Sequence, residues 1–237
     1  MPGVEVCLSP AIFEYHKKND SVVVVVDVLR ATTSICEAFR NGIKSIIPVA
    51  TESLASDYKN KGFIVAAERN GIPLEFADFG NSPFNFSQNN VKGKVVVFTT
   101  TNGTKTIQLA SSCLHVLIGS FINYSALCNL LLALDKDVII LCAGWKNRIN
   151  IEDSVFAGAV VDFLLQSNKF STICDSAIIT QEMWSNNKEH LEKYIHKSAQ
   201  NQRLKKNNID DSIPYCLSLN KTDLIPVYKN GEIVLFD

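Results

Sequence analysis

Ser21-Val22-Val23-Val24-Val25-Val26-Asp27-Val28-Leu29-Arg30-Ala31-Thr32-Thr33 is the stretch on which the reading of this chain turns. Five consecutive valines are stiff at χ1 and favour an extended backbone. They do not alternate with polar residues, so this strand must be covered by helices on both faces. Immediately after it come a carboxylate, a guanidinium three residues later and two hydroxyls, where a helix is set to begin.

Outward from this stretch, short runs rich in Val and Ile recur at residues 5–8, 45–49, 64–67, 95–98, 115–118 and 137–142. They read as further strands. The run 138–141 is again continuous. Helical spacing lies between them, at 34–40, 52–59, 105–111, 122–134 and 153–165. Strand and helix alternate, which predicts a layered α/β sheet. After Gln166 the sequence becomes mostly helical and polar, with Lys188, Lys193, Lys197, Arg203, Lys205 and Lys206, before two short strand candidates around Pro226 and Ile233. The basic run reads as a solvated helix face. No repeat or linker divides the 237 residues, so one domain over 1–237 is expected, with the part from about 167 packed on the same unit.

Composition narrows the function classes. The 23 Lys plus Arg against 24 Asp plus Glu leave a net charge of −1, too weak a field to draw nucleic acid or an anionic membrane. Any anionic ligand must be held by a local site. No segment reaches the roughly 20 apolar residues of a membrane span, and no basic then apolar leader stands at the start, so a cytoplasmic protein is expected. Seven cysteines, spread widely and without metal spacing, read as reduced core thiols.

In open α/β sheets ligands sit beyond the carboxyl ends of strands, and four such junctions carry chemistry. Asp27 and Arg30, with Thr32 and Thr33, could hold a metal and a phosphate beside free helix amides; the threonines could equally be helix caps. Thr99-Thr100-Thr101-Asn102-Gly103-Thr104 offers hydroxyls and a turn able to form an anion-binding nest, or simply a capped turn. Glu152 and Asp153 open an amphipathic segment after Cys142-Ala143-Gly144; acids suit a first helical turn, and they are also the usual donors to Mg²⁺. Glu68, after a β-run, could be a metal ligand or general acid, with Asn81 in the turn Gly80-Asn81-Ser82-Pro83 that closes the following loop.

In combination and order these motifs resemble the 2-phosphosulfolactate phosphatase (ComB-type) family. Residues 27–33, Glu68-Arg69, 80–83, 99–104, Ala143-Gly144, Glu152-Asp153 with Ala157-Gly158, and Asp210-Asp211 with Tyr215-Cys216 carry the likeness. The chain departs from it at Phe76-Ala77-Asp78, where members usually show Gly-Phe-Asp. The resemblance implies a three-layer α/β/α fold around a mixed, largely parallel sheet and Mg²⁺-dependent hydrolysis of 2-phosphosulfolactate to 3-sulfolactate and phosphate, an activity first associated with coenzyme M biosynthesis. It also implies a homodimer. Small acidic phosphoesters are the expected partners.

On this reading Asp27, Glu152, Glu68 and Asp153 supply metal ligands, with Asp27, Arg30 and Glu68 catalytic. Arg30, Thr32, Thr33, Asn81 and Thr100 to Thr104 hold the substrate, Asn102 and Gly103 included. The nucleophile stays open between a water at the metal and Asp27 itself, which would form an aspartyl phosphate. Two rivals remain. Cys142 and Arg148 have the Cys-x5-Arg spacing of cysteine-dependent phosphatases, which would need a thiolate of low pKa. A non-catalytic module binding a phosphorylated or sulfonated metabolite would use the same turns without releasing phosphate.

Overall fold

The computed structural model describes all 237 residues. In chain order the elements are β1 (Val4–Cys7), β2 (Val22–Val26), α1 (Ala31–Arg40), β3 (Ser45–Pro48), α2 (Glu52–Asn60), β4 (Ile64–Arg69), β5 (Ile72–Pro73), α3 (Gln88–Val91), β6 (Val95–Thr99) and α4 (Gly103–Leu109). There follow β7 (His115–Gly119), α5 (Tyr124–Leu134), β8 (Val138–Cys142), α6 (Ile151–Gln166), α7 (Asp175–Asn187), α8 (Leu191–Ile195), α9 (Ala199–Lys206), α10 (Ile213–Cys216), β9 (Pro226–Lys229) and β10 (Glu232–Leu235). The architecture is α/β, with helices covering both faces of one mixed, mostly parallel sheet, ordered β1-β8-β2-β7-β9-β10-β3-β6-β4-β5.

The valines of β2 do what their continuity requires. Val22, Val24 and Val26 pack into a core with α5, α6 and α7, while Val23 and Val25 face the opposite core beneath α1 and α4. All five are fully buried, worth roughly 1.5–3 kcal/mol each against exposure. A third, smaller core joins α2 to Val65, Ala67 and Val97. No helix is long and apolar enough to cross a membrane.

One feature of the topology was invisible in the hydrophobic pattern. The two carboxyl-terminal strands form an antiparallel hairpin inserted in the middle of the sheet, β9 against β7 and β10 against β3. The parallel set β1, β8, β2, β7 and the parallel set β3, β6, β4 therefore run in opposite formal directions. In a flat sheet their carboxyl ends would lie at opposite edges. Sheets twist by roughly 20–25° per strand, so over the five steps from β2 to β6 a rotation of about a right angle is expected. This swings the end of β6 back toward the end of β2, and the helix that follows β6 abuts Asp27: a Cβ built on Gly103 would stand 2.9 Å from Asp27 Oδ2 and 2.8 Å from the Ala31 Cβ. Only glycine permits that approach.

Most boundaries follow the expected runs within one to three residues. The helix expected over 105–111 starts earlier, at Gly103, because Thr104 donates its amide to Thr100 Oγ1 and closes the turn.

Candidate active site

Asp27, Arg30, Glu68, Asn81, Asn102 and Trp145 surround one small cavity of about 20 Å³. They come from the turns after β2, β6 and β8, from the end of β4 and from the loop before Pro83. The cavity has room for about one water-sized group, a cation or a single oxygen atom rather than a whole ester. A larger cleft of about 630 Å³ lies beside it, shares Asn102, and is bordered by Arg69, Lys105 and Lys146. Arg69 is paired with Glu52 at 3.1 Å; Lys105 and Lys146 are exposed and offer their charge to the cleft.

The turn after β2 is built from its own polar groups. The Asp27 amide donates to Thr32 Oγ1 at 3.1 Å, the Ala31 amide reaches Asp27 Oδ1 at 3.4 Å, and Thr33 Oγ1 donates to the Val28 carbonyl at 2.9 Å. Thr32 and Thr33 are fully buried. They brace the Asp27 turn from the first turn of α1, whose N-cap is Arg30 with no side-chain cap bond, so neither is the N-cap that was one of their expected roles. Arg30 donates to Asn81 Oδ1 at 2.9 Å and to the Ile209 carbonyl at 3.3 Å, so Asn81 aims the guanidinium.

Glu68 and Asp153 are both committed to backbone amides. Glu68 accepts from the Thr101 amide at 2.7 Å and the Gly71 amide at 2.6 Å, and from Thr101 Oγ1 at 3.1 Å. Asp153 accepts from Val28 at 2.9 Å and Gly144 at 3.0 Å, tying the turns after β2 and β8 together. Thr100 and Thr104 bond each other's amides at 3.3 Å. Asn102 Oδ1 accepts from the Lys146 amide at 3.0 Å, joining the second turn to the third.

Glu152 differs from its neighbours. It is buried, and neither of its carboxyl oxygens has a hydrogen-bond partner. Burial first, and then the charge of Asp27, push its pKa from the ordinary 4.5 up to about 7, against the opposing pull of its own backbone amide, Arg203 and the Ser198 hydroxyl. Asp27 is itself raised well above the ordinary range, first by burial and then by the charges of Asp153 and Glu68. Asp153 is raised likewise, by burial and then by Glu152. Buried carboxylates crowded in this way need a proton or a cation between them.

No group of three His, Cys, Asp or Glu side chains is set to enclose a metal ion unaided. Two carboxylates completed by waters are what Mg²⁺ commonly takes. The orphaned oxygens of Glu152 and the repelled carboxylate of Asp27 fit that donor set, whereas the oxygens of Glu68 and Asp153 already accept from amides.

The Cys-x5-Arg reading fails. Cys142 is the last residue of β8 and fully buried, and burial, then the charge of Asp153, drives its thiol well above the ordinary range, away from the thiolate that route needs. Arg148 points to solvent. All seven cysteines are free and five are buried, as core thiols should be.

Sequence reasoning missed three neighbours of the site. Trp145 and Gln200 line the cavity, and the Arg203 guanidinium lies 4.1 Å over the Trp145 ring. Arg203 was grouped with a solvated face; the five lysines of that run are exposed, but Arg203 is half-buried. A lone tryptophan in a turn rich in Gly and Asn was the available signal, since such a ring on a loop commonly stacks on a cation.

A family model described as 2-phosphosulpholactate phosphatase matches residues 7–231. A protein of Clostridium novyi (strain NT) named probable 2-phosphosulfolactate phosphatase is 34% identical over 234 residues, covering 97% of this chain and 98% of its own length. Proteins of the same name from Symbiobacterium thermophilum and Carboxydothermus hydrogenoformans are 32% and 34% identical over 220 and 221 residues, covering 91% and 92% of this chain and 94% and 91% of their own lengths. The chain belongs to the 2-phosphosulpholactate phosphatase family.

Proposed function

We propose that the chain hydrolyses 2-phosphosulfolactate, or a closely related small acidic phosphate ester, to 3-sulfolactate and inorganic phosphate, with Mg²⁺ held by Asp27 and Glu152. The observation that carries this reading is the pair of buried Glu152 oxygens without a protein partner, close enough to Asp27 to feel its charge, where Asp27 in turn lines the small cavity together with Arg30. Carboxylates alone would repel a phosphoester; a divalent cation reverses that sign. When bound, it supplies neutralisation of phosphoryl charge.

The chain's own residues do the positioning. The small cavity takes one oxygen-sized group, so the body of the ester lies in the adjoining cleft, where Lys105 and Lys146 face its acidic groups. Arg30, aimed by Asn81, meets the phosphoryl end. Glu68 and Asp153 act through the amides they bind, holding the turns after β4, β6, β2 and β8 in register. Hydrolysis breaks the ester P–O bond and forms a new one to a water oxygen, and the leaving alkoxide takes up the proton that the water gives up. Orientation and charge neutralisation account for most of the acceleration in such transfers.

The test is phosphate release from 2-phosphosulfolactate, phospholactate, phosphoglycolate and phenyl phosphate, with Mg²⁺ and with chelator. The esters carrying extra acid groups should be hydrolysed faster than phenyl phosphate, and chelator should stop all of them. Ligand-induced stabilisation without any phosphate release would instead make the chain a binding module.

A further inference from the structure

We propose that Arg203 is a substrate-binding residue, donating through its Nη2 to an anionic oxygen of the phosphoester. The assignment rests on the phosphatase reading and adds to it a cation delivered from the far, carboxyl-terminal side of the chain.

Three contacts fix the guanidinium. It stacks on Trp145 with 4.1 Å from its central carbon to the ring centre. Its Nε donates to Gln200 Oε1 at 2.8 Å, and Gln200 Nε2 in turn donates to the Leu29 carbonyl at 2.8 Å. Gln200 and Arg203 stand three apart on α9, so they share one face of the helix. That face is anchored to the turn carrying Asp27 and Arg30. Stacking and a fixed Nε leave the planar fork little freedom, an arrangement suited to reading an oxyanion.

The outer end of the fork is unfinished. Nη2 is buried and has no hydrogen-bond partner. Buried polar groups are nearly always paired, and an unpaired one calls for an explanation. The carboxylate whose charge acts on Arg203 is Glu152, yet both Glu152 oxygens are also partnerless. A donor and an acceptor of opposite charge thus stand near each other without pairing. A cation alone would satisfy Glu152 and leave the N–H groups facing a like charge. An anionic oxygen coordinated to that cation satisfies both, because it gives the guanidinium its acceptor. An oxygen-sized cavity lies alongside, lined by Asp27 and Arg30 and by Trp145 and Gln200, the two residues that hold the Arg203 guanidinium. Arg30, in the turn that leads into α1, and Arg203, on α9, then approach the ester from two different parts of the chain.

Two groups of the substrate could supply that oxygen, the phosphoryl group or the acid that is not transferred. Both present the same chemistry, and separate ligands tell them apart. In the presence of Mg²⁺, binding of inorganic phosphate and of 3-sulfolactate would be measured by titration calorimetry on the full-length wild type, Arg203→Gln and Arg203→Lys, together with thermal melting. The expected result is a loss of about ten- to a hundredfold in affinity for at least one anion in Arg203→Gln, with a smaller loss in Arg203→Lys and a melting temperature close to wild type. Loss on phosphate assigns the contact to the phosphoryl oxygens; loss on 3-sulfolactate alone assigns it to the retained acid. Affinities for both anions equal to wild type in Arg203→Gln would overturn the assignment while leaving a wild type that turns over as a phosphatase. Wild-type protein that binds neither anion and releases no phosphate would overturn both.

Discussion

Removing one negative charge from the buried carboxylates should stabilise the cation-free protein, and by an amount that depends on pH in a defined direction. Glu152 has its pKa raised from 4.5 to about 7 in the folded chain. An acid whose folded pKa is raised favours folding while protonated, so its contribution is intact below about 4.5 and is lost as pH rises toward 7. At about 1.4 kcal/mol per pH unit, the full penalty above pH 7 is roughly 3 kcal/mol. Glu152→Gln keeps the shape and removes the charge. In chelator at pH 8 this variant should therefore melt above wild type, by on the order of 6–12 °C for a domain of this size. At pH 5, about half a unit above the ordinary pKa, the difference should shrink to about a quarter, under about 1 kcal/mol. With millimolar Mg²⁺ at pH 8 the order should reverse, because wild type gains a ligand-linked stabilisation that the variant lacks. Differential scanning calorimetry across pH 5–8, with and without chelator, reads all of this. A Glu152→Gln protein that melts below wild type in chelator at pH 8 would refute the reasoning, since it would show the carboxylate to be satisfied within the fold.

Other substitutions separate the site's parts. Asp27→Asn should abolish phosphate release, with the far-UV circular dichroism of wild type; retained turnover would remove Asp27 from the chemistry. Gly103→Ala puts a methyl 2.9 Å from Asp27 Oδ2 and 2.8 Å from the Ala31 Cβ, and should cost about 1–3 kcal/mol of stability and at least about tenfold in activity, read by urea denaturation and steady-state kinetics. Iodoacetamide should leave the native enzyme active, because Cys142 is buried with its thiol driven up, while chelator should inactivate it; the opposite pattern would restore a cysteine mechanism.

Much of this molecule was readable from residues alone, and the parts that were not share a cause. Unbroken valines in β2 and the apolar run of β8 announced strands covered on both faces, and both are buried throughout. Asp27, Arg30, Glu68, Asn81 and Asn102 each follow or precede an identifiable turn, and the fold brings them to one cavity. What local pattern could not give was pairing across long separations. The hairpin of β9 and β10 looks the same in sequence whether it lies at an edge or at the centre, and its central place reverses half of the sheet. The same limit applies to polar side chains. Glu68, Asp153 and Glu152 are all acids near strand ends, yet two bind amides and one is left unpartnered. Thr32 and Thr33 read in sequence as N-caps or as ligands, but the helix begins before them at Ala31, and they bond back to the Asp27 turn instead of capping the helix. Arg203 sits in a basic run whose lysines are exposed, and nothing within that run marks the residue that folds back over Trp145.

The central claim is that Asp27 and Glu152 share a divalent cation, and the most direct measurement is the anomalous scattering of a crystal grown with Mn²⁺ in place of Mg²⁺. One strong peak is expected at coordination distance from a carboxyl oxygen of each. A peak elsewhere, or Glu152 seated against a protein donor with no cation beside it, would contradict it.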